Sequence, residues 1–172
     1  MSASLIKPIA VSAFGVLVAA AMAGAARAQV PPEIAAAPGE SVVVTFHAEG
    51  AQIYECKAGN DGKLAWTFRE PIATLFLDGK TVGRHYAGPS WEHVDGSAVT
   101  AKATGNAPGK TANDIPWLRL EVTDHRGSGT LSGITTVQRI NTQGGVYAGS
   151  CEKAGTFTSA PYRADYVFLR KG

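Results

Sequence analysis

At 172 residues, 45% hydrophobic and 17% charged, with 20 glycines and 9 prolines, the chain has the composition of one globular domain. This composition excludes an intrinsically disordered, collagen-like or coiled-coil protein. The formal net charge is only +2 and the basic residues are scattered, so no nucleic acid is expected as a partner.

Residues 1–28 differ in kind from the rest. Lys7 is the only charge before Arg27, Ile9 to Met22 is an apolar, alanine-rich run, and Ala26-Arg27-Ala28 fits the small-x-small cleavage pattern. These features predict a signal peptide cleaved after Ala28, hence a periplasmic or extracellular protein with no transmembrane segment after cleavage. The uncharged stretch Pro8 to Ala26 could span a membrane by length, but its alanine- and glycine-rich core is weakly apolar and a cleavage site follows it. No cysteine precedes Cys56, which excludes a lipid-anchored cysteine at the new terminus. Lys7 and Arg27 account for the whole basic excess, leaving 14 Lys+Arg against 14 Asp+Glu in residues 29–172.

Val30 to Glu40 carries three prolines and no apolar period, and is predicted as an extended linker over 29–40 leading into a single β-domain over 41–172. Beyond it, short runs alternate with period 2. Val42, Val44 and Phe46 share one face, as do Leu64, Trp66 and Phe68. Leu118, Leu120 and Val122 form the clearest half-buried strand, and Tyr162, Ala164, Tyr166 and Phe168 repeat the pattern near the end. Asn60-Asp61-Gly62, Asp78-Gly79 and Asp95-Gly96 mark tight turns between such runs. Leu131, Ile134, Val137 and Ile140 recur every third residue, yet the run ITTVQRI is β-branched and uncapped, so strand is preferred to helix. Eight to ten short strands predict an all-β fold, a β-sandwich or a small antiparallel barrel. Thr104 to Pro116, polar and broken by Gly and Pro, is predicted as a mobile surface loop of the kind that carries binding residues.

Cys56 and Cys151 are an even pair in a chain expected to be exported, which favours one structural disulfide. They form no C-x-x-C and lie near no histidine at metal-ligand spacing.

The densest cluster of chemistry is Gly83 to Ser97, with His85, Tyr86, Trp91, Glu92, His93 and Asp95 around a Gly88-Pro89 turn. Folded as a hairpin, it could bring His85 and His93 together with Asp95 to hold Zn²⁺ or Cu²⁺, although neither H-x-H nor H-x₃-H occurs. The competing reading is a hairpin whose aromatics pack and whose polar groups satisfy turn amides. Trp91 and Trp117, with Tyr86 and Tyr147, could instead stack on sugar rings or a peptide, and Trp117 is set apart by lying on the polar face of its strand. No G-x-S-x-G elbow, P-loop or zinc-ribbon pattern occurs, and the glycines from Gly127 to Gly133 precede a strand rather than a helix, so no dinucleotide site is expected.

Seven segments in order carry a family resemblance: Q-I-Y-E-C (52–56), W-T-F (66–68), H-Y-A-G-P-S-W (85–91), D-G-S (95–97), I-P-W-L (115–118), V-Q-R-I-N-T-x-G-G (137–145) and Y-x-A-D-Y-x-F (162–168). Through them the chain resembles the secreted domain-of-unknown-function family 3455 of bacteria and fungi. The resemblance implies a β-rich exported domain and transfers no catalytic residues.

Three functions remain. The first is non-enzymatic binding of an envelope or extracellular ligand, a polysaccharide or small molecule, at His85, Tyr86, Trp91, Asp95 and Trp117, with no cofactor. The second is a metal-binding protein or enzyme using His85, His93 and Asp95. The third is a structural envelope protein.

Overall fold

The computed structural model describes residues 30–172; the expected signal peptide and its cleavage site lie outside them. Eight antiparallel strands form one sheet that closes on itself: β1 (Glu40–Ala58), β2 (Leu64–Leu77), β3 (Lys80–Tyr86), β4 (Ser90–His93), β5 (Ala98–Ala107), β6 (Trp117–Arg126), β7 (Thr136–Gly144) and β8 (Phe157–Lys171). Every strand pairs with its sequence neighbour, and β1 also pairs with β8 from Glu40↔Lys171 to Glu55↔Phe157. Of the two all-β architectures expected, the chain adopts the barrel. Closure leaves no free edge on which other strands could add.

The period-2 runs explain which faces turn inward. Phe46 and Ala48 of β1, Leu75 of β2, Leu120 of β6, and Ala164, Tyr166 and Phe168 of β8 are buried members of a single core, with Val122 packed against it. The β2–β3 connection is two residues long, and both Asp78 (φ 50°) and Gly79 (φ 74°) take the left-handed conformation that matches a hairpin's twist. Asp and Gly are residues that tolerate it.

The two barrel ends differ. At one end lie the β4–β5 turn and residues 127–135, whose Leu131 and Ile134 are fully buried and plug the barrel. The expected strand over ITTVQRI therefore starts only at Thr136; its first apolar residue, Ile134, serves the plug. At the other end lie the β3–β4 tip, the β5–β6 loop and the long β7–β8 connection.

The expected loop over 104–116 is also shorter, because β5 continues to Ala107, and what remains is pinned rather than mobile. Asp114 accepts hydrogen bonds from Thr111 and from the Gly144 amide, the Ile115 amide donates to Gly144 O, and the Thr142 hydroxyl donates to Ile115 O.

Residues 30–39 do not form an open linker. They hold a 3₁₀ turn at Pro32–Ile34, bury Ile34 completely and lie against the outside of β5 and β6. Gln138 donates to Ile34 O, and Arg119 donates to Ala35 O while forming a 2.7 Å ion pair with Glu40. This pair holds the Glu40 carboxyl down to about 2, chiefly through the Arg119 hydrogen bond. A disulfide joins Cys56 to Cys151 across 95 residues, with Cα atoms 5.9 Å apart, and ties the β7–β8 connection to the β1–β2 arm. Among the described residues no helix is long and apolar enough to cross a membrane.

Candidate functional site

The unplugged end of the barrel holds a cavity of about 560 Å³, within the range of small-molecule sites. Its walls come from elements far apart in sequence. Strand β1 contributes Gln52 and Tyr54, the β3–β4 tip contributes Ala87, Gly88 and Pro89, and the β5–β6 loop contributes Ile115 and Pro116. Leu118 and Leu120 of β6 add apolar wall, while Arg139 of β7 and Tyr166 of β8 bring polar atoms. At the rim, Phe68 and Val146 are half-exposed, and Tyr54 packs edge-on against Phe68 with ring centroids 5.9 Å apart. Gly145 (φ 89°) sits where a Cβ would fall 2.9 Å from both Ile115 and Tyr162, so the wall closes there only around a glycine.

The floor is aromatic. His85 and Trp91 are register partners on β3 and β4 and stack at 4.5 Å with an interplanar angle of 8°. Tyr166 lies 4.8 Å from the imidazole and 5.3 Å from the indole. His85 Nδ1–H donates to Ser90 O at 2.8 Å, which holds the hairpin tip and leaves Nε2 as an acceptor. Burial, aided by the charge of Arg139, lowers the imidazole to about 3, so His85 is neutral at physiological pH. Burial likewise pushes the Tyr166 phenol up; its hydroxyl shares a 3.2 Å hydrogen bond with Tyr162 and lies beside Arg139.

Two residues that line this cavity each carry a buried donor with no partner among the described residues: Gln52 Nε2 and Trp91 Nε1. Native proteins leave few such groups. Arg139 donates through Nε and Nη2 to Pro116 O but has no carboxylate partner among the described residues. The cavity's other arginine, Arg69, is paired with Glu55 and Glu70.

The residues singled out in the sequence separate in space. His85 and Trp91 line the cavity. Tyr86, next along β3, projects outward, where its hydroxyl donates to Glu92, its ring lies under Arg84, and Arg84 and Arg126 both bind that carboxylate. Asp95 lies at the plugged end. Its oxygens accept from the Ser97 amide and hydroxyl and from the Thr130 amide and hydroxyl, which holds its carboxyl well below the usual range and ties two turns together. Trp117 faces a different recess, beside Pro31, Pro108 and Lys110, so Trp91 and Trp117 form no shared platform.

The expected metal set does not assemble. His93 pairs with Asp95 at 2.9 Å and stacks on Phe46, whereas His85 is committed to Ser90 and Trp91. Among the described residues no three His, Cys, Asp or Glu side chains come together as metal ligands.

Gln52, Arg139 and Tyr166 were not singled out, although a signal existed. Gln52 falls in phase with the inward Phe46 and Ala48, and Arg139 with the inward Val137. A polar residue at an inward position must face a partner or a cavity. Six of the seven segments that carry the family resemblance send at least one residue to this cavity; only Asp95-Gly96-Ser97 does not.

Neither the curated proteins nor the solved structures contain a match to the chain. The model of the family described as protein of unknown function (DUF3455) matches residues 36–170, most of the chain, and the protein belongs to that family.

Proposed function

We propose that the protein is an exported, non-enzymatic binding protein that holds a small, largely apolar molecule in the open end of its barrel. The cavity carries this reading: a core that plugs one barrel end with Leu131 and Ile134 leaves about 560 Å³ unfilled at the other. Well-packed interiors avoid such voids, because their lining loses dispersion contacts. The rim supports it further, since Phe68 and Val146 expose apolar surface beside the opening.

A small molecule fits better than a polysaccharide chain, which needs an exposed aromatic platform; Trp91 is only 1% exposed and Trp117 lies elsewhere. A binding role is favoured over catalysis because, among the described residues, no Ser, Thr, Cys, Asp or Glu lines the cavity to act as nucleophile or carboxylate acid–base group. The disulfide supports export, as such bonds persist in oxidising compartments.

The neutral dye Nile red tests the proposal. A saturable, one-to-one rise in emission is expected with the wild type. It should disappear in Ala103→Trp, which fills the cavity from an exposed wall position and should leave the thermal midpoint within a few degrees. Absence of saturable binding to the wild type, or undiminished binding to Ala103→Trp, would leave a structural envelope role as the better reading.

A further inference from the structure

The cavity lining carries unpaired donors beside the acceptor Nε2 of His85. Gln52 Nε2 and Trp91 Nε1 are donors with no partner, and both residues are at least 98% buried, at 2% and 1% exposure. Arg139 brings a guanidinium whose hydrogen bonds to Pro116 O leave further N–H groups unused. Among the described residues no acidic side chain lines the cavity, and its second arginine is already neutralised by Glu55 and Glu70. The site thus presents one positive charge without a carboxylate partner among the described residues, beside apolar walls of Leu118, Leu120 and Ile115.

A cation without a carboxylate partner in an apolar cavity favours a ligand that supplies acceptors. A carboxylate does so with two oxygens that match a guanidinium. Phe68, half-exposed beside Tyr54 at the rim, offers aromatic surface to the rest of the molecule.

We infer that the ligand is a hydrophobic organic acid: an apolar, preferably aromatic body carrying one carboxylate, which is recognised by Arg139. This rests on the ligand-binding reading of the same cavity and adds the sign of the ligand's charge.

The test is a charge series on one scaffold, titrated into the disulfide-intact protein and followed by tryptophan fluorescence and calorimetry. The probes are 1-naphthoate, neutral 1-naphthalenemethanol and cationic 1-naphthylmethylammonium. Binding of 1-naphthoate is expected to be one-to-one and at least tenfold tighter than that of the alcohol, with the ammonium weaker still. Arg139→Gln, which keeps a hydrogen-bond donor and removes the charge, is expected to weaken naphthoate at least tenfold more than it weakens the alcohol. A cooperative thermal transition shows that the variant is folded. If that variant does not fold, the wild-type series decides alone. Equal affinity for the acid and the alcohol would overturn the carboxylate inference and leave the binding proposal standing. Failure of all three probes to bind at millimolar concentration, together with failure of Nile red, would overturn both.

Discussion

His85 makes stability depend on pH in a window where few other groups contribute. Its folded-state value is about 3 and its ordinary value 6.5. Below pH 6.5 the unfolded chain therefore takes up a proton that the folded protein refuses, and stability falls as pH falls, by up to about 1.4 kcal/mol per pH unit. With 6.5 for the unfolded state and negligible protonation of the folded state, lowering the pH from 7 to 5 costs about 2 kcal/mol. The loss continues toward pH 3. Glu40 and Asp95, both held low, add losses of the same sign, but only below their ordinary values of 4.5 and 3.8. The interval from pH 7 to 5 thus isolates the imidazole from these carboxylates. Urea unfolding at pH 7, 6 and 5, on wild type and His85→Gln, checks this. The variant is expected to be less stable throughout, having lost its stack on Trp91, but its stability should fall by about 2 kcal/mol less than the wild type's over the interval. Parallel pH dependences for the two proteins would refute a neutral, buried His85.

Trp91→Ala removes a side chain packed on His85, Tyr166 and Phe168; a loss of about 3–5 kcal/mol is expected from the urea midpoint. Near-wild-type stability would show that the indole serves ligand binding alone. Cys56→Ala with Cys151→Ala releases a 95-residue closure, and in the chain-entropy model should cost about 4–5 kcal/mol in denaturant titrations. Glu40→Ala leaves the Arg119 guanidinium without its ion-pair partner against the docked segment 30–39, and about 3 kcal/mol of stability should be lost on thermal or chemical unfolding. Asp95→Asn keeps the shape but weakens four charge-assisted contacts; faster hydrogen exchange is expected at the Thr130 and Ser97 amides, with no change in Nile red binding.

The alternation of Tyr162 to Phe168 and of Leu118 to Val122 made the β architecture legible, since a strand half-buried in a barrel must repeat every second residue. The disulfide was legible from the cysteine count, and the hairpin from its Gly88-Pro89 tip. Closure was not legible: pairing of β1 with β8 joins residues more than a hundred positions apart and leaves no local mark. The site was half legible. His85 and Trp91 stood out as chemically conspicuous types, but so did Asp95 and Tyr86, which serve a turn clamp and a surface charge cluster. Residue type alone cannot separate these roles, because Asp-Gly-Ser is both a turn former and a polar motif. The face of the strand separates them: Tyr86 is out of phase with His85, while Gln52 and Arg139 are in phase with the core.

A crystal structure of the disulfide-intact protein soaked with 1-naphthoate tests the central claim most directly. The naphthalene is expected between the Tyr54–Phe68 rim and the His85–Trp91 floor, with its carboxylate within hydrogen-bond distance of Arg139. A cavity holding only ordered waters at saturating naphthoate, or naphthoate bound elsewhere on the barrel, would contradict it.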